Sequence, residues 1–361
     1  MSPAATDRPY IALAMGDAAG ISPELTARIL ADDEIRRGMQ LIVIGDRRVL
    51  AEGARVAGVT TPVHDADLDA PLISPDGLPL FIDLKHCDPA LIEKATISAA
   101  SGRFALTNFR LALLLAQQGV VRSVTFTPFN KSSMRLAYPA YEDEIVFCCE
   151  FLGFQEPAEE FNILPGVWNA RVTSHVPLSG VASRITREAI LRSIRLTDQY
   201  LRAAGHDPAR IGVAALNPHA GDNGSFGREE IDIIGPAVEV AKAEGIHCDG
   251  PFPSDTVFVR ARRGQFDAVV TMYHDQGQIA MKMIGLEEGV TLLGGFPFPI
   301  CTPAHGTAFD IAGKGIAGTG ASRNAVLLAA KMARSLPAVP AAAATLPLRD
   351  LIARAMQIPG P

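Results

Sequence analysis

The 361-residue sequence has no hydrophobic run long enough to cross a membrane. Its longest wholly apolar runs, such as residues 111–116, fall far short of the roughly 20 residues that a membrane helix needs. The start, MSPAATDRPYIALAMGD, has no basic segment followed by an apolar stretch, so we expect no secretory signal. The cysteines form no CxxC pair and are odd in number, which predicts reduced thiols in a cytoplasmic protein; they are Cys87, Cys148, Cys149, Cys248 and Cys301.

Positive charge is scarce as well. The 33 Lys and Arg residues are outnumbered by 39 Asp and Glu residues, and the net charge is −6. This sign argues against nonspecific binding to nucleic acid or to an acidic membrane surface. Apolar residues are plentiful, at 48%, and charged residues make up only 20%, so the chain can bury a sizeable core. The length predicts two α/β lobes, or one large lobe with insertions.

Short apolar runs alternate with helical patterns along the N-terminal third. The pattern predicts strands at 10–15, 41–44 and 123–127, and helices at 47–56 and 100–118. Another helix is predicted to open at Ser22-Pro23-Glu24, with Ser as the N-cap, Pro at the first helical position and Glu in the first turn. Strands that alternate with helices indicate βαβ crossovers and a largely parallel sheet.

The same alternation continues in the second half. It predicts strands at 170–174, 211–216 and 268–272, and helices at 186–204, 227–245 and 322–336. We expect the helix at 227–245 to bend at Pro236, because a proline ring does not fit an unbroken interior turn. The Ala- and Pro-rich segment 337–348 is predicted to be a loose tail or strap.

Three histidines each follow a predicted strand: His175 in TSHVPL, His219 in NPHAG and His274 in MYHDQG. The carboxyl ends of parallel strands gather at one edge of a sheet, where ligands bind. Imidazole is a common ligand of zinc-like ions, and three protein ligands with an open position describe a catalytic metal site. The alternative is that each is a loop histidine held by a backbone hydrogen bond.

Other strand ends carry residues suited to proton transfer or ligand binding. Lys131 follows TFTPFN and could hold an anion or exchange protons, or it could be a solvated surface lysine. Asp255 and Asp275 are candidate metal ligands, orienting residues or helix caps. The glycine-rich segment 305–320 could bring its backbone close to a phosphate, although it is not the GxGxxG fingerprint of a Rossmann fold.

Seven segments together resemble the 4-hydroxythreonine-4-phosphate dehydrogenase family. They are MGDAAGISPEL, TFTPFNK, TSHVPLSGVASRIT, LNPHAGDNGSFGREEIDII, GPFPSDTVF, FDAVVTMYHDQGQIAMK and AHGTAFDIAGKGIA. The resemblance implies an α/β, two-lobed fold like that of isocitrate and isopropylmalate dehydrogenases, with largely parallel sheets and an interlobe cleft. We expect one lobe at 1–130 plus 306–361, with the nucleotide-binding loop, and the other at 131–305, with the metal and dimer-interface residues.

The resemblance also implies a homodimer with a divalent metal site shared between subunits. His175 and His219 of one chain and His274 of its partner would hold the ion, with zinc expected first and magnesium, manganese or cobalt as alternatives. NAD, or NADP, would bind at a loop made by His305, Gly306, Thr307, Ala308 and Asp310. The implied reaction oxidises a secondary alcohol β to a carboxylate and then releases CO2, with Lys131, Asp255 or Asp275 handling the proton.

The sequence departs from the family where the substrate binds. Asp143 and Glu144 stand where biosynthetic members have a His-Thr pair, and of the phosphate-binding Lys, Asn and Arg only Lys282 is kept; the other two positions are Thr291 and Ile300. Losing an arginine and gaining carboxylates disfavours a dianionic phosphate. We therefore expect an unphosphorylated, carboxylated cis-dihydrodiol substrate, as in the terephthalate dihydrodiol dehydrogenases of aromatic degradation. The alternatives are 4-hydroxythreonine 4-phosphate or a phosphorylated sugar acid, and, in another class, a zinc-dependent hydrolase.

Overall fold

The structure is a computed structural model that describes residues 8–285, 287–337 and 346–358. The chain divides into two compact units: the first comprises Met1–Glu156 and Phe296–Pro361, and the second Pro157–Gly295. The predicted strap at 337–348 lies largely outside the described residues.

Strands and helices alternate through most of the described chain. The strands are β1 (Tyr10–Ala14), β2 (Gln40–Gly45), β3 (His64–Asp65), β4 (Leu80–Asp83), β5 (Ser123–Phe126), β6 (Glu159–Leu164), β7 (Val167–Arg171), β8 (Ile211–Ala214), β9 (Cys248–Phe252), β10 (Ala268–Thr271), β11 (Val290–Gly294) and β12 (Ile300–Pro303). The α-helices are α1 (Ser22–Ala31), α2 (Asp33–Gly38), α3 (Arg47–Ala57), α4 (Ala99–Gln117), α5 (Lys131–Ala137), α6 (Glu144–Leu152), α7 (Arg187–Ala203), α8 (Gly235–Ala243), α9 (Ser254–Arg262), α10 (His274–Ile284), α11 (Gly320–Ser335) and α12 (Leu348–Met356).

The strands of the first unit follow the order β3-β4-β2-β1-β5-β12, and each neighbouring pair is parallel. In β1, YIALA, every residue after Tyr10 is buried, and all of β2 is buried. Strands covered on both faces by helices are apolar throughout, as these are. The parallel α/β architecture predicted from the sequence is confirmed.

The strands of the second unit follow the order β11-β6-β7-β10-β8-β9. Strands β7, β10, β8 and β9 run parallel to one another, whereas β6 runs antiparallel to both β7 and β11. The turn between β6 and β7 contains Gly166 with φ 84°, a conformation that favours glycine. The antiparallel strands are an addition to the predicted pattern.

The boundary between the units differs from the expected one. The first unit extends to Glu156 rather than to residue 130, because α5 and α6 pack on α4. The second boundary falls between Gly295 and Phe296, ahead of residue 305, because β12 pairs with β5 of the first unit.

Two predicted helix features differ in detail. Ser22 is the first residue of α1 rather than its cap, because its Oγ donates to Pro128 O at 2.7 Å. The segment predicted as a helix bent at Pro236 is a π-helical turn, Glu230–Ile234, followed by α8, in whose first turn Pro236 lies. A proline is tolerated there because the N–H groups of the first turn have no intrahelical partner. None of the helices in the described ranges has the length and apolar composition that crossing a bilayer requires.

Candidate functional site

The predicted metal-binding histidines lie at one edge of the sheet in the second unit. His175 follows β7, His274 begins α10 directly after β10, and His219 follows β8. These three strands are consecutive parallel neighbours, so their carboxyl ends share an edge. Asp255 follows β9, the next strand along, in the first turn of α9. These residues therefore all follow the carboxyl ends of neighbouring parallel strands.

His175 and His274 are close neighbours within one chain. Their ring centroids lie 5.8 Å apart, with the planes inclined by 43°. They border a cavity of about 350 Å³, which is lined by Thr173, Ser174, His175, Val176, Leu178, Val181, Tyr273, His274 and Asp275. The resemblance placed His175 and His274 on different subunits, whereas the structure brings these two rings of the same chain together.

Asp275 orients the ring of His274. Its Oδ1 lies 2.7 Å from His274 Nδ1, a contact that favours a proton on Nδ1 and leaves Nε2 as the possible metal ligand. A carboxylate on the second nitrogen is the usual support of a metal-binding imidazole. The donors at this site therefore fit a divalent ion. Among the described residues of the single chain, no three His, Cys, Asp or Glu side chains are arranged to hold one ion.

The loop that carries His219 has an unusual backbone. Residues 219–223 all have positive φ, between 42° and 79°, although only Gly221 is a glycine. Left-handed conformations cost energy in other residues and persist only where surrounding contacts impose them. Glu230, which is buried, holds the residues that lead into this loop: its Oε1 accepts from Leu216 N at 2.9 Å and Asn217 N at 2.8 Å, and its Oε2 accepts from Asn217 Nδ2.

Two further side chains, Gln276 and Arg171, form hydrogen bonds with the segments that follow these strands. Gln276 Oε1 accepts from Met272 N at 2.7 Å, while its Nε2 donates to Ala215 O and Ser254 Oγ, each at 2.8 Å. The buried Arg171 at the end of β7 donates from Nε to Ser174 Oγ, immediately before His175. Sequence reasoning missed these roles and that of Glu230, although Gln276 and Glu230 lie within the motifs YHDQG and GREEIDI.

Lys131 lies at the carboxyl edge of the sheet in the first unit, where α5 begins after β5. Its Nζ forms an ion pair with Glu144 Oε2 at 3.1 Å, and it is 43% exposed. Asp143 caps α6, because its side chain accepts from Val146 N at 2.9 Å. Arg135 donates to the backbone carbonyls of Tyr141 and Glu142. Asp143 and Glu144 thus support a helix terminus and Lys131.

The predicted nucleotide loop follows β12 in the first unit and contacts the loop after β1. Ile21 N donates to Thr307 O at 3.1 Å, and a Cβ on Gly20 would lie 2.7 Å from Thr307, so only glycine fits there. Ala308 has φ 42°, a left-handed conformation that costs energy in a residue other than glycine. Asp310 and Gly306 are exposed and His305 is partly exposed. The loops after β1, β5 and β12 meet because these strands are parallel neighbours.

A buried carboxyl, which the sequence did not identify, lies in the loop after β1. Asp17 Oδ1 accepts from Ala19 N at 2.7 Å and from Ser101 Oγ. Burial raises the pKa of Asp17, although these hydrogen bonds and the ammonium group of Lys94 oppose the rise. The motif MGDAAGI contains Asp17, but nothing in the sequence shows that this aspartate is buried.

The predicted substrate residues lie in different environments. Lys282, in the last turn of α10, is exposed and borders a cavity of about 540 Å³ in the second unit. Thr291 is partly buried on β11, opposite Asn162. Ile300 is fully buried on β12 opposite Val124, so its side chain belongs to the core of the first unit and faces no solvent.

A family model and many curated relatives match the chain. The model described as pyridoxal phosphate biosynthetic protein PdxA matches residues 37–329. A relative from Rhizobium meliloti, named putative 4-hydroxythreonine-4-phosphate dehydrogenase 2, is 60% identical over 93% of this chain and 97% of its own. One from Symbiobacterium thermophilum, named putative D-threonate 4-phosphate dehydrogenase, is 37% identical over 90% of this chain and 97% of its own.

Solved structures of related dehydrogenases are also similar to this chain. A 4-hydroxythreonine-4-phosphate dehydrogenase from Klebsiella pneumoniae is 34% identical, with a TM-score of 0.74 over 90% of this chain and 99% of that one. A terephthalate 1,2-cis-dihydrodiol dehydrogenase from Burkholderia xenovorans is 25% identical, with a TM-score of 0.66 over 90% of this chain and 98% of that one.

These comparisons overturn the dihydrodiol substrate expected from the sequence. The relatives with higher identity are named for phosphorylated substrates, whereas the dihydrodiol dehydrogenase is the more distant structure. The structure gives the physical reason for the error. The carboxylate of Asp143 caps α6 and that of Glu144 pairs with Lys131, so each has a partner within the protein and their presence does not argue against a phosphate. Ile300, which the sequence predicts as an apolar substrate contact, is a core residue.

Proposed function

The chain belongs to the PdxA family of pyridoxal phosphate biosynthetic proteins, and on that premise we propose that it is a dehydrogenase of a phosphorylated hydroxy acid, dependent on a nicotinamide nucleotide and a divalent metal. The observation that carries the proposal is the 60% identity, across almost the whole chain, to a relative named 4-hydroxythreonine-4-phosphate dehydrogenase. That compound is the first candidate substrate. D-threonate 4-phosphate is the second, because other relatives are named for it.

The metal would be held by His175, His274 and His219. The support is the proximity of the first two rings, the carboxylate beside His274, and the strained loop of His219, whose preceding residues Glu230 anchors. A divalent ion at such a site supplies a Lewis acid that lowers the pKa of a bound alcohol. Zinc suits three imidazoles, and magnesium, manganese and cobalt are the alternatives.

The nucleotide would bind at the loop formed by His305, Gly306, Thr307, Ala308 and Asp310. NAD, or NADP, would supply the hydride acceptor for the alcohol carbon. The protein's part is to present backbone N–H groups in a fixed conformation, which the contacts of Thr307 with Gly20 and Ile21 support.

Lys131 is the proposed proton donor. Oxidation of an alcohol β to a carboxylate gives a β-keto acid, which loses CO2, and the carbon that held the carboxylate then takes up a proton. The Nζ of Lys131 would deliver that proton, and Glu144 holds the ammonium group in place. Asp275 is proposed to orient His274, while Asp255, exposed in the first turn of α9, is the alternative proton carrier.

The phosphate would be bound by Lys282, with the hydroxyl of Thr291 as a second partner. Lys282 is exposed at the end of α10 and forms no ion pair within the described ranges, so its ammonium group is available to a dianion. A lysine binds phosphate as a point charge and needs no bidentate geometry. Ile300 plays no part in this binding, because its side chain is fully buried.

We also propose a cytoplasmic homodimer that shares the metal site. Several large apolar side chains of the second unit are exposed in the single chain, and Leu178, which lines the histidine cavity, is 72% exposed. Others are Phe226, Ile279 and Met283. Exposed apolar side chains near a binding site indicate a surface that another chain covers.

The test is NADH formation by the purified protein. We expect 4-hydroxythreonine 4-phosphate to reduce NAD with release of CO2, and a chelator to stop the reaction until metal is restored. D-threonate 4-phosphate and NADP complete the panel. Metal-dependent hydrolysis of an ester or amide substrate, with no nucleotide binding, would contradict the proposal and support a hydrolase.

A further inference from the structure

Two charged side chains of α1 hold the glycine-rich segment that follows the proposed nucleotide loop. Ala317 N donates to Glu24 Oε1 at 2.9 Å, and Arg28 Nη2 donates to Gly315 O at 2.7 Å. Arg28 also donates to the same oxygen of Glu24 from Nε and Nη2, each at 3.2 Å. The pair therefore binds one N–H and one carbonyl of residues 312–318, the segment that we call the glycine segment.

The glycine segment has little regular structure of its own. Apart from one 3-10 turn at Phe309–Ile311, residues 304–319 are irregular. Gly313 and Gly315 have φ values of 77° and 71°, and a Cβ on Gly315 would lie 2.5 Å from Val56 O. Glycine loses more conformational freedom on ordering than any other residue. Contacts from outside the segment must therefore fix its conformation.

Glu24 occupies an unfavourable position for a carboxylate. Its side chain is 2% exposed, and its second oxygen, Oε2, has no hydrogen-bond partner among the described residues. Burial of an ionised carboxylate is costly unless pairing and hydrogen bonds offset it. The bonds to Ala317 N and Arg28 are the visible compensation, and both serve to fix the glycine segment.

The same helix also fixes the nucleotide loop itself. Ile21, Leu25 and Ala317 form a small buried cluster, against which Ala308 and Ile311 pack. Ile21 N donates to Thr307 O, just before the strained residue Ala308. A displacement of the glycine segment would therefore be transmitted to residues 305–310.

We infer that Glu24 and Arg28 are positioning residues for the nicotinamide nucleotide, which hold residues 305–318 in the conformation that binds it. The inference rests on the proposed function, since it takes the loop after β12 as the nucleotide loop. Neither side chain is assigned contact with the reacting atoms. Their loss should weaken nucleotide binding while leaving kcat at saturating nucleotide nearly unchanged.

The test measures NADH binding by fluorescence titration, with no substrate present, in three variants. Glu24→Gln removes the charge with little change in shape. Arg28→Met removes the second anchor at a partly exposed position, so it provides a readout if Glu24→Gln fails to fold. Arg323→Gln is the matched control, because it breaks a comparable ion pair with Asp32, elsewhere on the same unit.

We expect the Kd for NADH to rise about tenfold in Glu24→Gln and Arg28→Met, as the loss of one charge-assisted hydrogen bond implies. Hydrogen exchange of residues 312–318 should become faster in both variants, and the control should match the wild type in both measurements. An unchanged Kd in folded variants would overturn the inference alone, even if exchange became faster. A wild-type protein that binds no NADH would overturn the proposed function and this inference with it.

Discussion

The imidazole rings of His175 and His274 lie 5.8 Å apart in a single chain, at the ends of the neighbouring strands β7 and β10. Asp275 contacts Nδ1 of His274 and so orients that ring, which leaves Nε2 of His274 free to bind a metal ion. The motif MYHDQG therefore supplies both a candidate metal ligand, His274, and the carboxylate that orients it, Asp275.

Replacement of either ring should remove the metal. We expect His175→Ala and His274→Ala each to lower bound zinc, measured by elemental analysis, to well below one ion per chain and to abolish NADH formation. His64→Ala is the matched control, because His64 pairs with a carboxylate, Asp76, within the first unit and is not one of the proposed ligands. Full metal occupancy in either active-site variant would exclude that ring as a ligand.

Glu230 should control the metal through the loop of His219. Glu230→Ala removes the acceptor of Leu216 N and Asn217 N, so the residues that lead into the left-handed loop 219–223 lose their anchor. Supporting residues of this kind typically change metal affinity by about 10–100-fold, and competition with a chelator would measure the loss. Glu229→Ala, which removes only one bond to Asn217 Nδ2, should have a much smaller effect; equal effects would argue against the role given to Glu230.

Lys131 should be required for its proton rather than for its charge alone. Lys131→Arg keeps a cation beside Glu144, but a guanidinium does not release a proton near neutral pH. We expect kcat to fall by about 10²–10⁴-fold in both Lys131→Arg and Lys131→Met. Lys242→Met, at an exposed ion pair on α8, is the control. Substantial activity in Lys131→Arg would reassign proton transfer to another group such as Asp255.

Glu159 should make the stability of the second unit depend on pH. Burial raises the pKa of Glu159 from 4.5 to about 7, against hydrogen bonds from Ser193 Oγ and Arg171 N to the same oxygen, Oε1. At a pH between 4.5 and about 7, Glu159 is protonated more often in the folded state than in the unfolded state. The free energy of unfolding therefore falls as pH rises from about 4.5 to 7.

Glu159→Gln keeps an oxygen that can accept both hydrogen bonds and removes this dependence. At pH 8 we expect it to be more stable than the wild type, by roughly 3 kcal/mol at most, with the advantage disappearing near pH 4. Urea unfolding at the two pH values measures the difference. Glu160→Gln, which weakens a contact with the buried Arg171, should instead be destabilising. A Glu159→Gln variant that is less stable at pH 8 would contradict the assignment.

The strands and helices that lead to the site could be predicted because their signals are local. The apolar runs at 211–216 and 268–272 correspond to β8 and β10, and the histidines after them lie at the predicted edge. Strand β7, expected at 170–174, is Val167–Arg171, which places Ser174 and His175 in the loop. The antiparallel strand β6 escaped prediction because its partners β7 and β11 are set by tertiary pairing.

The errors at the substrate site have one physical origin. A sequence position shows which side chain is present but not which way it points. Ile300 alternates with residues that are also buried, so nothing in its strand distinguishes a core face from a ligand face. Likewise, the carboxylates of Asp143 and Glu144 have local partners, Val146 N and Lys131, that the pattern YEDEIVF did not reveal.

We propose that histidines from neighbouring strand ends bind one metal ion that serves the reaction. The most direct measurement is the anomalous diffraction of crystals grown with zinc, collected on both sides of the zinc absorption edge. We predict one peak per site within bonding distance of ring nitrogens of His175 and His274, with His219 of the same chain or of a second copy as the third ligand. A peak bound elsewhere, or a zinc ion that contacts only one of these rings, would show that the two histidines do not share a metal ion.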